Sequence, residues 1–200
     1  MTTVADVARR LKPAAGPPRL PPILLMTDAR RLADPLPAVA RLPHGAGVVL
    51  RHYDAPNREE LARQLLRICR RKGLYLLVGA DARLAAAAGA HGLHLPEHMV
   101  LRGRRTWKAW RRPDWIVTAA AHGPTTARRA AAAGADAVLV SPVFPTASHP
   151  AAAAIGPVRL ARWVRFSPCP VYALGGIDGD RAQRVADTGV MGFAGISALS

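Results

Sequence analysis

Ala85-Ala-Ala-Ala-Gly-Ala-His-Gly-Leu-His-Leu95 decides the fold, because the chain repeats it. Ala130-Ala-Ala-Ala-Gly-Ala-Asp-Ala-Val-Leu-Val140 follows the same pattern, and Val185-Ala-Asp-Thr-Gly-Val-Met-Gly-Phe-Ala-Gly195 is a looser third copy. Each copy has one physical logic. An alanine-rich or amphipathic helix stops at a glycine, which accepts the left-handed conformation of a helix C′ position. A short apolar run follows, as expected of a strand buried on both faces. Gly89, Gly134 and Gly189 therefore mark three helix-to-strand joints, and their spacing leaves room for one more helix–strand unit between successive copies.

Working outward from these joints gives eight candidate strands: Ile23–Thr27, Gly47–Arg51, Leu74–Val78, Gly92–Leu95, Ile116–Ala120, Ala137–Ser141, Val171–Leu174 and Gly192–Gly195. Helices are expected between them, among others over Arg58–Arg71, Thr125–Ala133 and Asp180–Asp187. Asn57 is the expected N-cap of the first, with Glu60 completing a capping-box-like pattern. Alternating strands and helices imply a parallel sheet, and eight two-sided apolar strands imply closure into a single (β/α)₈ barrel, an α/β fold. An open, doubly wound sheet is the alternative, but no G-x-G-x-x-G follows the first strand to support its dinucleotide-binding version. Residues 23–200 are assigned to the barrel and residues 1–22 to a helix, Val4–Leu11, with a proline-rich segment from Pro13 to Pro22. That helix is expected to cover part of the barrel. The eighth strand runs almost to Ser200, so the barrel is expected to be shortened at its C-terminus, without the usual closing helix.

The length of 200 residues suits one domain, and the hydrophobic share of 50% is enough for a sizeable core. No run of 18 apolar residues offers a membrane span, and the first residues lack the apolar stretch of a secretory signal, so a cytoplasmic location is expected. Cys69 and Cys169 lie too far apart for a metal motif. Of the 28 cationic residues behind the net charge of +15, only Lys12, Lys72 and Lys108 are lysines, which reads in part as biased residue usage. The densest basic stretch is Arg102–Arg112, interleaved with Trp107 and Trp110. Nucleic-acid binding there is the weaker reading. The stronger is a solvated helix whose two tryptophans share one inward face.

The chemical signal is clearest at the C-terminal end. Ala173-Leu-Gly-Gly-Ile-Asp178 ends strand seven and Gly195-Ile-Ser197 ends strand eight. In (β/α)₈ barrels a phosphate often sits between these two loops on backbone N–H groups. Gly175, Gly176, Ile196 and Ser197 are the expected phosphate ligands, glycine being needed where backbone must approach an anion. The competing reading is a plain tight turn. Ser141-Pro-Val-Phe-Pro-Thr146 follows strand six, with two prolines stiffening a loop that continues into a longer small-residue stretch, Ala147–Ala154. Ser141 and Thr146 are the expected hydrogen-bonding groups for a polar substrate, with Ser148 as a further hydroxyl. A structural proline turn accounts for the motif equally well.

These residues resemble the thiamine phosphate synthase/TenI family over nearly the whole chain. The resemblance rests on Leu24-Leu-Met-Thr-Asp28, Gly47-Val-Val-Leu-Arg51, Ala87-Ala-Gly-Ala-His-Gly-Leu-His-Leu95, Ser141-Pro-Val-Phe-Pro-Thr146 and Ala173-Leu-Gly-Gly-Ile177, in that order and spacing. It implies a (β/α)₈ barrel and a phosphorylated thiazole or thiamine phosphate as ligand. Synthase members join a hydroxymethylpyrimidine diphosphate to a hydroxyethylthiazole phosphate with Mg²⁺, releasing pyrophosphate. A TenI branch instead shifts a proton to aromatise a thiazole phosphate carboxylate.

The departures are concentrated on one side. Of the family's Gln-x-Arg-x-Lys after strand two only Arg51 stands here, within Val49-Leu-Arg-His-Tyr53. Gly79 and Ala80 replace the Asn-Asp whose aspartate holds Mg²⁺, with Asp81 one residue on. His94-Leu-Pro-Glu-His98 leaves Glu97 as the nearby carboxylate, and the lysine after strand six is replaced around His149. Mg²⁺ is held by carboxylates together with substrate phosphates, so these losses weaken the diphosphate half of the site.

What the resemblance then implies is a TenI-like proton shift. His122, after strand five, would be the acid–base group, since imidazole titrates near neutrality. Arg51 would hold a substrate carboxylate. His122 as a mere helix-start residue is the plain alternative. His94 is expected to pack in the barrel and His91 to be exposed. No cofactor and no metal ligand are expected, Mg²⁺ entering only with the synthase alternative through Asp81 or Glu97. A non-catalytic phosphate-ligand-binding module is the third reading. No membrane partner is expected, nucleic acid is disfavoured, and the oligomeric state, a homo-oligomer included, stays open.

Overall fold

The computed structural model describes residues 2–11, 20–103, 107–146 and 153–196. Eight parallel strands close into a barrel in sequence order: β1 (Ile23–Met26), β2 (Gly47–Leu50), β3 (Tyr75–Gly79), β4 (Gly92–Leu95), β5 (Ile116–Ala121), β6 (Ala137–Val140), β7 (Val171–Leu174) and β8 (Gly192–Gly195). Closure is direct, Ile23 of β1 standing in register with Phe193 of β8. Helices lie between the strands: α2 (Leu36–Arg41), α3 (Arg58–Lys72), α4 (Ala82–Ala88), α5 (Glu97–Arg102), α6 (Pro124–Ala133), α7 (Gly156–Phe166) and α8 (Gly179–Ala186), preceded by α1 (Val4–Ala8). All eight expected strands form, because each is a four- to six-residue apolar run that a sheet covered on both faces can bury.

Alternation along the strands separates two cores. Leu24, Met26, Val49, Leu77, Leu139 and Tyr172 pack together inside the barrel. Ile23, Leu25, Val48, Leu76, Val138 and Phe193 face the helices. The same parity aims Arg51 at the mouth and its neighbour His52 at the helix layer. His52 is 4% exposed there, bonded through Nδ1 to Thr27 Oγ1 at 2.9 Å.

The repeat has a structural counterpart. Gly89 and Gly134 are left-handed C-caps, with φ of +71° and +92°. The residue two places beyond each glycine turns its side chain to a strand. His91 Nδ1 accepts from the Leu76 N–H at 2.9 Å, and Asp136 Oδ2 from the Val117 N–H at 2.6 Å. The expectation that His91 is exposed is corrected by this bond. An acceptor that completes a buried strand end must itself be part-buried, and His91 also stands edge-on to Tyr75.

Two further expectations fail for local reasons. Asn57 precedes α3 but caps nothing with its side chain, because its backbone (φ −102°, ψ 26°) is not the extended form a capping box needs. Glu60 bonds Arg63 instead. The true capping box is at α1, where Thr3 Oγ1 accepts from Asp6 N–H and Asp6 Oδ2 from Thr3 N–H. Trp107 and Trp110 do not share a face. Trp107 lies outside the single 3₁₀ turn Lys108–Trp110 and is buried, whereas Trp110 is 47% exposed.

α1 packs on α8 and the outside of β8, burying Val4, Val7 and Ala8. It is shorter than the expected Val4–Leu11, and residues 12–19 lie outside the described residues. Val7→Asp is expected to lower stability by roughly 3 kcal/mol, since a carboxylate would replace a buried methyl pair without a partner. Urea unfolding checks this, and an unchanged midpoint would show that α1 does not hold the barrel.

Candidate active site

The ends of β6 and β7 are built as one unit. Val143 and Phe144 N–H donate to the carbonyls of Leu174 and Gly175, at 2.9 and 3.1 Å. Gly175 and Gly176 are consecutive left-handed residues, with φ of +95° and +64°. A Cβ on Gly176 would lie 2.6 Å from the Pro145 carbonyl oxygen, and one on Gly175 would lie 3.0 Å from Pro142 Cα. The glycines are therefore demanded by backbone conformation and by close approach of the two loops. Phe144 is clamped from α8, with the guanidinium groups of Arg181 and Arg184 at 5.6 and 5.2 Å from its ring centre. Arg181 Nη1 also donates to the Gly176 carbonyl at 3.0 Å. Asp178 Oδ1 caps α8 through the Arg181 N–H, so that helix start is already satisfied. Gly176 and Ile177 N–H groups, by contrast, donate to no backbone carbonyl among the described residues. Half-buried Ile196 follows β8 beside this loop. The expected ligand Ser197, together with Ser148 and His149, lies outside the described residues.

His122 stands on the same rim, one strand round. Its Nδ1–H donates to the Ser141 carbonyl at 3.0 Å. A carbonyl can only accept, so Nδ1 carries the hydrogen and the neutral ring keeps its lone pair on Nε2. The ring is exposed and its backbone N–H is held by Glu97 Oε1 at 3.3 Å. Glu97 Oε1 also accepts from Thr126 Oγ1 at 2.8 Å, which ties the starts of α5 and α6. Ser141 and Thr146 are half-buried at the two ends of the Pro142–Pro145 run. The structure thus brings His122, Ser141, Gly175 and Gly176 onto neighbouring strand ends, β5 to β7.

Arg51 is elsewhere on the rim, at β2. Its backbone N–H donates to Thr27 Oγ1 at 2.9 Å, and its guanidinium lies 4.0 Å from Asp28 Oδ2. Sequence reasoning passed over Asp28, though it ends the first strand's motif. Partial burial raises its carboxyl, but the backbone N–H and guanidinium of Arg31 and the backbone N–H of Arg30 outweigh this and lower it. Next to it, Tyr53 crosses the end of β3, and a Cβ on Gly79 would meet its ring at 3.2 Å. Arg58, on the first turn of α3, stacks under Tyr53, bonds the Gly79 carbonyl and reaches 3.7 Å from Asp81 Oδ2.

These contacts test whether Mg²⁺ fits. Asp81 Oδ1 caps α4 through the Leu84 N–H at 2.8 Å, and its other oxygen faces Arg58. Glu97 is engaged with Thr126 and His122. No group of three acidic, histidine or cysteine side chains among the described residues could hold a metal. Asp81 has both oxygens engaged and Glu97 offers only Oε2, so the residues present do not form a carboxylate set that fits Mg²⁺ at this end of the barrel.

His94 points into the barrel below the mouth, its Nδ1 3.0 Å from Thr118 Oγ1. Burial, with the Arg51 charge second, pushes its pKa down to about 3. The folded value lies below the unfolded one, so the unfolded chain takes up a proton that the folded chain refuses. Stability is therefore lost as pH falls through about 6.5, by up to about 1.4 kcal/mol per pH unit. His91, lowered mainly by burial, contributes with the same sign. Melting temperatures should fall between pH 7 and pH 5, and His94→Asn should flatten that fall. An equally steep fall in the variant would remove His94 as its cause.

A closed parallel barrel with a paired-glycine loop at β7 and a histidine at β5 defines the class: a (β/α)₈ protein whose candidate site lies on the rim formed by the strands' carboxyl ends. A profile described as thiamine monophosphate synthase matches residues 25–199. The thiamine-phosphate synthase of Halorhodospira halophila is 34% identical over 190 residues, covering 92% of this chain and 88% of that protein. A putative thiamine-phosphate synthase 2 of Aquifex aeolicus is 35% identical over 157 residues, covering 75% of this chain and 80% of that protein. A solved thiamine phosphate pyrophosphorylase from Pyrococcus furiosus superposes with a TM-score of 0.71 at 28% identity, over 90% of this chain and 86% of that one. The chain belongs to the thiamine phosphate synthase/TenI family. No helix among the described residues is long and apolar enough to cross a membrane.

Proposed function

We propose that this chain binds a thiazole monophosphate at the ends of β7 and β8 and takes part in forming thiamine phosphate. The observation that carries this reading is the pair of left-handed glycines, with the Gly176 and Ile177 N–H groups left without a carbonyl partner among the described residues. Such a loop is a backbone anion site. Ile196 and Ser197 would complete it from β8. Ser141 and Thr146 would bond the polar part of the same ligand.

The names of the relatives favour the joining reaction, in which the thiazole displaces pyrophosphate from a pyrimidine diphosphate. They move the weight from the proton shift, which the residue pattern alone put first, to that alternative. Because Asp81 and Glu97 do not fit Mg²⁺, no metal step is assigned. Arg51 is the one family diphosphate contact left, and it would meet the leaving group's charge. The second reading, a proton shift on a thiazole phosphate carboxylate, keeps one specific support. The Nδ1–H bond to Ser141 leaves the His122 lone pair on Nε2, as a general base requires.

The protein mixed with hydroxymethylpyrimidine diphosphate and thiazole phosphate, with Mg²⁺ and with a chelator, tests this. Thiamine phosphate together with pyrophosphate is the expected product pair. Absence of both, alongside turnover of the thiazole phosphate carboxylate, selects the proton shift. Thermal stabilisation by thiazole phosphate with no turnover of either substrate selects a binding module.

A further inference from the structure

A cavity of about 460 Å³ opens on the flank of the barrel between α6 and α7. Helices α5 and α6 touch, as do α7 and α8, and the cavity lies between these two pairs. The cause is in the side chains. α6 buries only Thr126 and three alanines, and α7 buries only Leu160 of its eleven residues, so little bulk draws the two together. Arg128 lies on one bank, Arg159 and Arg162 on the other, and Trp163 and Phe166 form an aromatic wall. Phe166 is 71% exposed.

The charge is one-sided. Neither α6 nor α7 contains an aspartate or glutamate. Among the described residues, Arg128, Arg159 and Arg162 join no ion pair, whereas Arg9, Arg31 and Arg63 each have a carboxylate. Three unpaired guanidinium groups around one cavity repel one another, and an anion between them would remove that repulsion. A second copy of this chain is a poor occupant, since the same face would bring arginines against arginines.

We propose that this cleft is a binding site for a small phosphorylated heteroaromatic compound, separate from the site in the barrel mouth. Planar guanidinium forks match phosphate oxygens. The faces of Trp163 and Phe166 suit a flat ring, which stacks on indole and phenyl. The volume is that of a pocket for one small ligand. The site does not depend on the reaction assigned to the mouth.

Adenosine monophosphate is the probe, titrated against the whole chain by calorimetry and tryptophan fluorescence, with inorganic phosphate and a single-stranded oligothymidylate in parallel. One mononucleotide should bind per chain, roughly tenfold more tightly than inorganic phosphate because the ring adds stacking. The double substitution Arg159→Gln with Arg162→Gln should weaken it by roughly tenfold or more while leaving thermal stability unchanged, since both side chains are exposed and unpaired. Phe166→Ala should weaken the mononucleotide and leave inorganic phosphate unaffected. The proposal is overturned by no saturable binding, or by binding that survives these substitutions, which would place the probe in the mouth. It is equally overturned if the oligonucleotide binds roughly a hundredfold tighter than the mononucleotide, which would make the flank a nucleic-acid surface.

Discussion

Gly176→Ala should abolish stabilisation of the barrel by thiazole phosphate and lower its own stability by roughly 2–4 kcal/mol. Two effects add. At φ +64° an alanine pays the left-handed penalty, about 1–2 kcal/mol. Its Cβ would also lie 2.6 Å from the Pro145 carbonyl, in a loop that cannot retreat because Phe144 is held between Arg181 and Arg184. The loop would give way, and the Gly176 and Ile177 N–H groups would lose their aim. Gly123→Ala is the matched control. Gly123 also precedes a helix on the same rim, but it is extended (φ −161°) and nothing lies within 4 Å of its would-be Cβ. It should unfold within about 0.5 kcal/mol of the parent and keep its ligand response. Denaturant unfolding and thermal shift with and without thiazole phosphate measure both. A Gly176→Ala protein that still responds to the ligand would show that the paired glycines serve loop packing alone.

The fold was legible because its signals are local. The glycine at Gly89 and Gly134 must take positive φ wherever the helix stops, and the four-residue strands that follow carry no polar residue that a closed sheet could not bury, His94 excepted. At β7 the two adjacent glycines announced, on the same local terms, a loop of positive φ and close approach. What escaped was whatever depends on partners distant in sequence. Nothing near Glu97 foretells that Thr126 and His122 will occupy it, 29 and 25 residues away. His91 was expected to be exposed because its acceptor role needs the N–H of Leu76 on another strand. Asn57 was misjudged for the opposite reason. The residue type fits a cap, but its backbone conformation, set by the turn before α3, does not. The same distinction explains Asp81. One residue's shift from the family's metal position made it look available, whereas three-dimensionally it is the cap of α4 and faces Arg58.

His122→Ala and Arg51→Gln should separate the two reactions by opposite responses. In a proton shift the imidazole takes and returns the proton, so His122→Ala should lower kcat by roughly 10²–10⁴ with little change in binding. Arg51 would there only hold a carboxylate, and its loss would appear mainly in KM. In the joining reaction the burden moves. Negative charge grows on the departing diphosphate, and with Asp81 facing Arg58 the Arg51 guanidinium is the cation there whose partner, Asp28, stands as far off as 4.0 Å. Arg51→Gln should then lower kcat/KM by roughly 10–100-fold, the worth of one charged hydrogen bond, and His122→Ala should matter less. Denaturant unfolding of both variants separates folding from the comparison, since His122 is exposed whereas Arg51 also bonds Tyr53. The joining reaction predicts one further asymmetry. If Arg51 answers for the missing magnesium ligands, a chelator should cost the parent far less than Arg51→Gln does. A chelator that stops turnover completely would instead mean that the diphosphate brings its own metal and that Asp81 leaves the α4 cap to receive it.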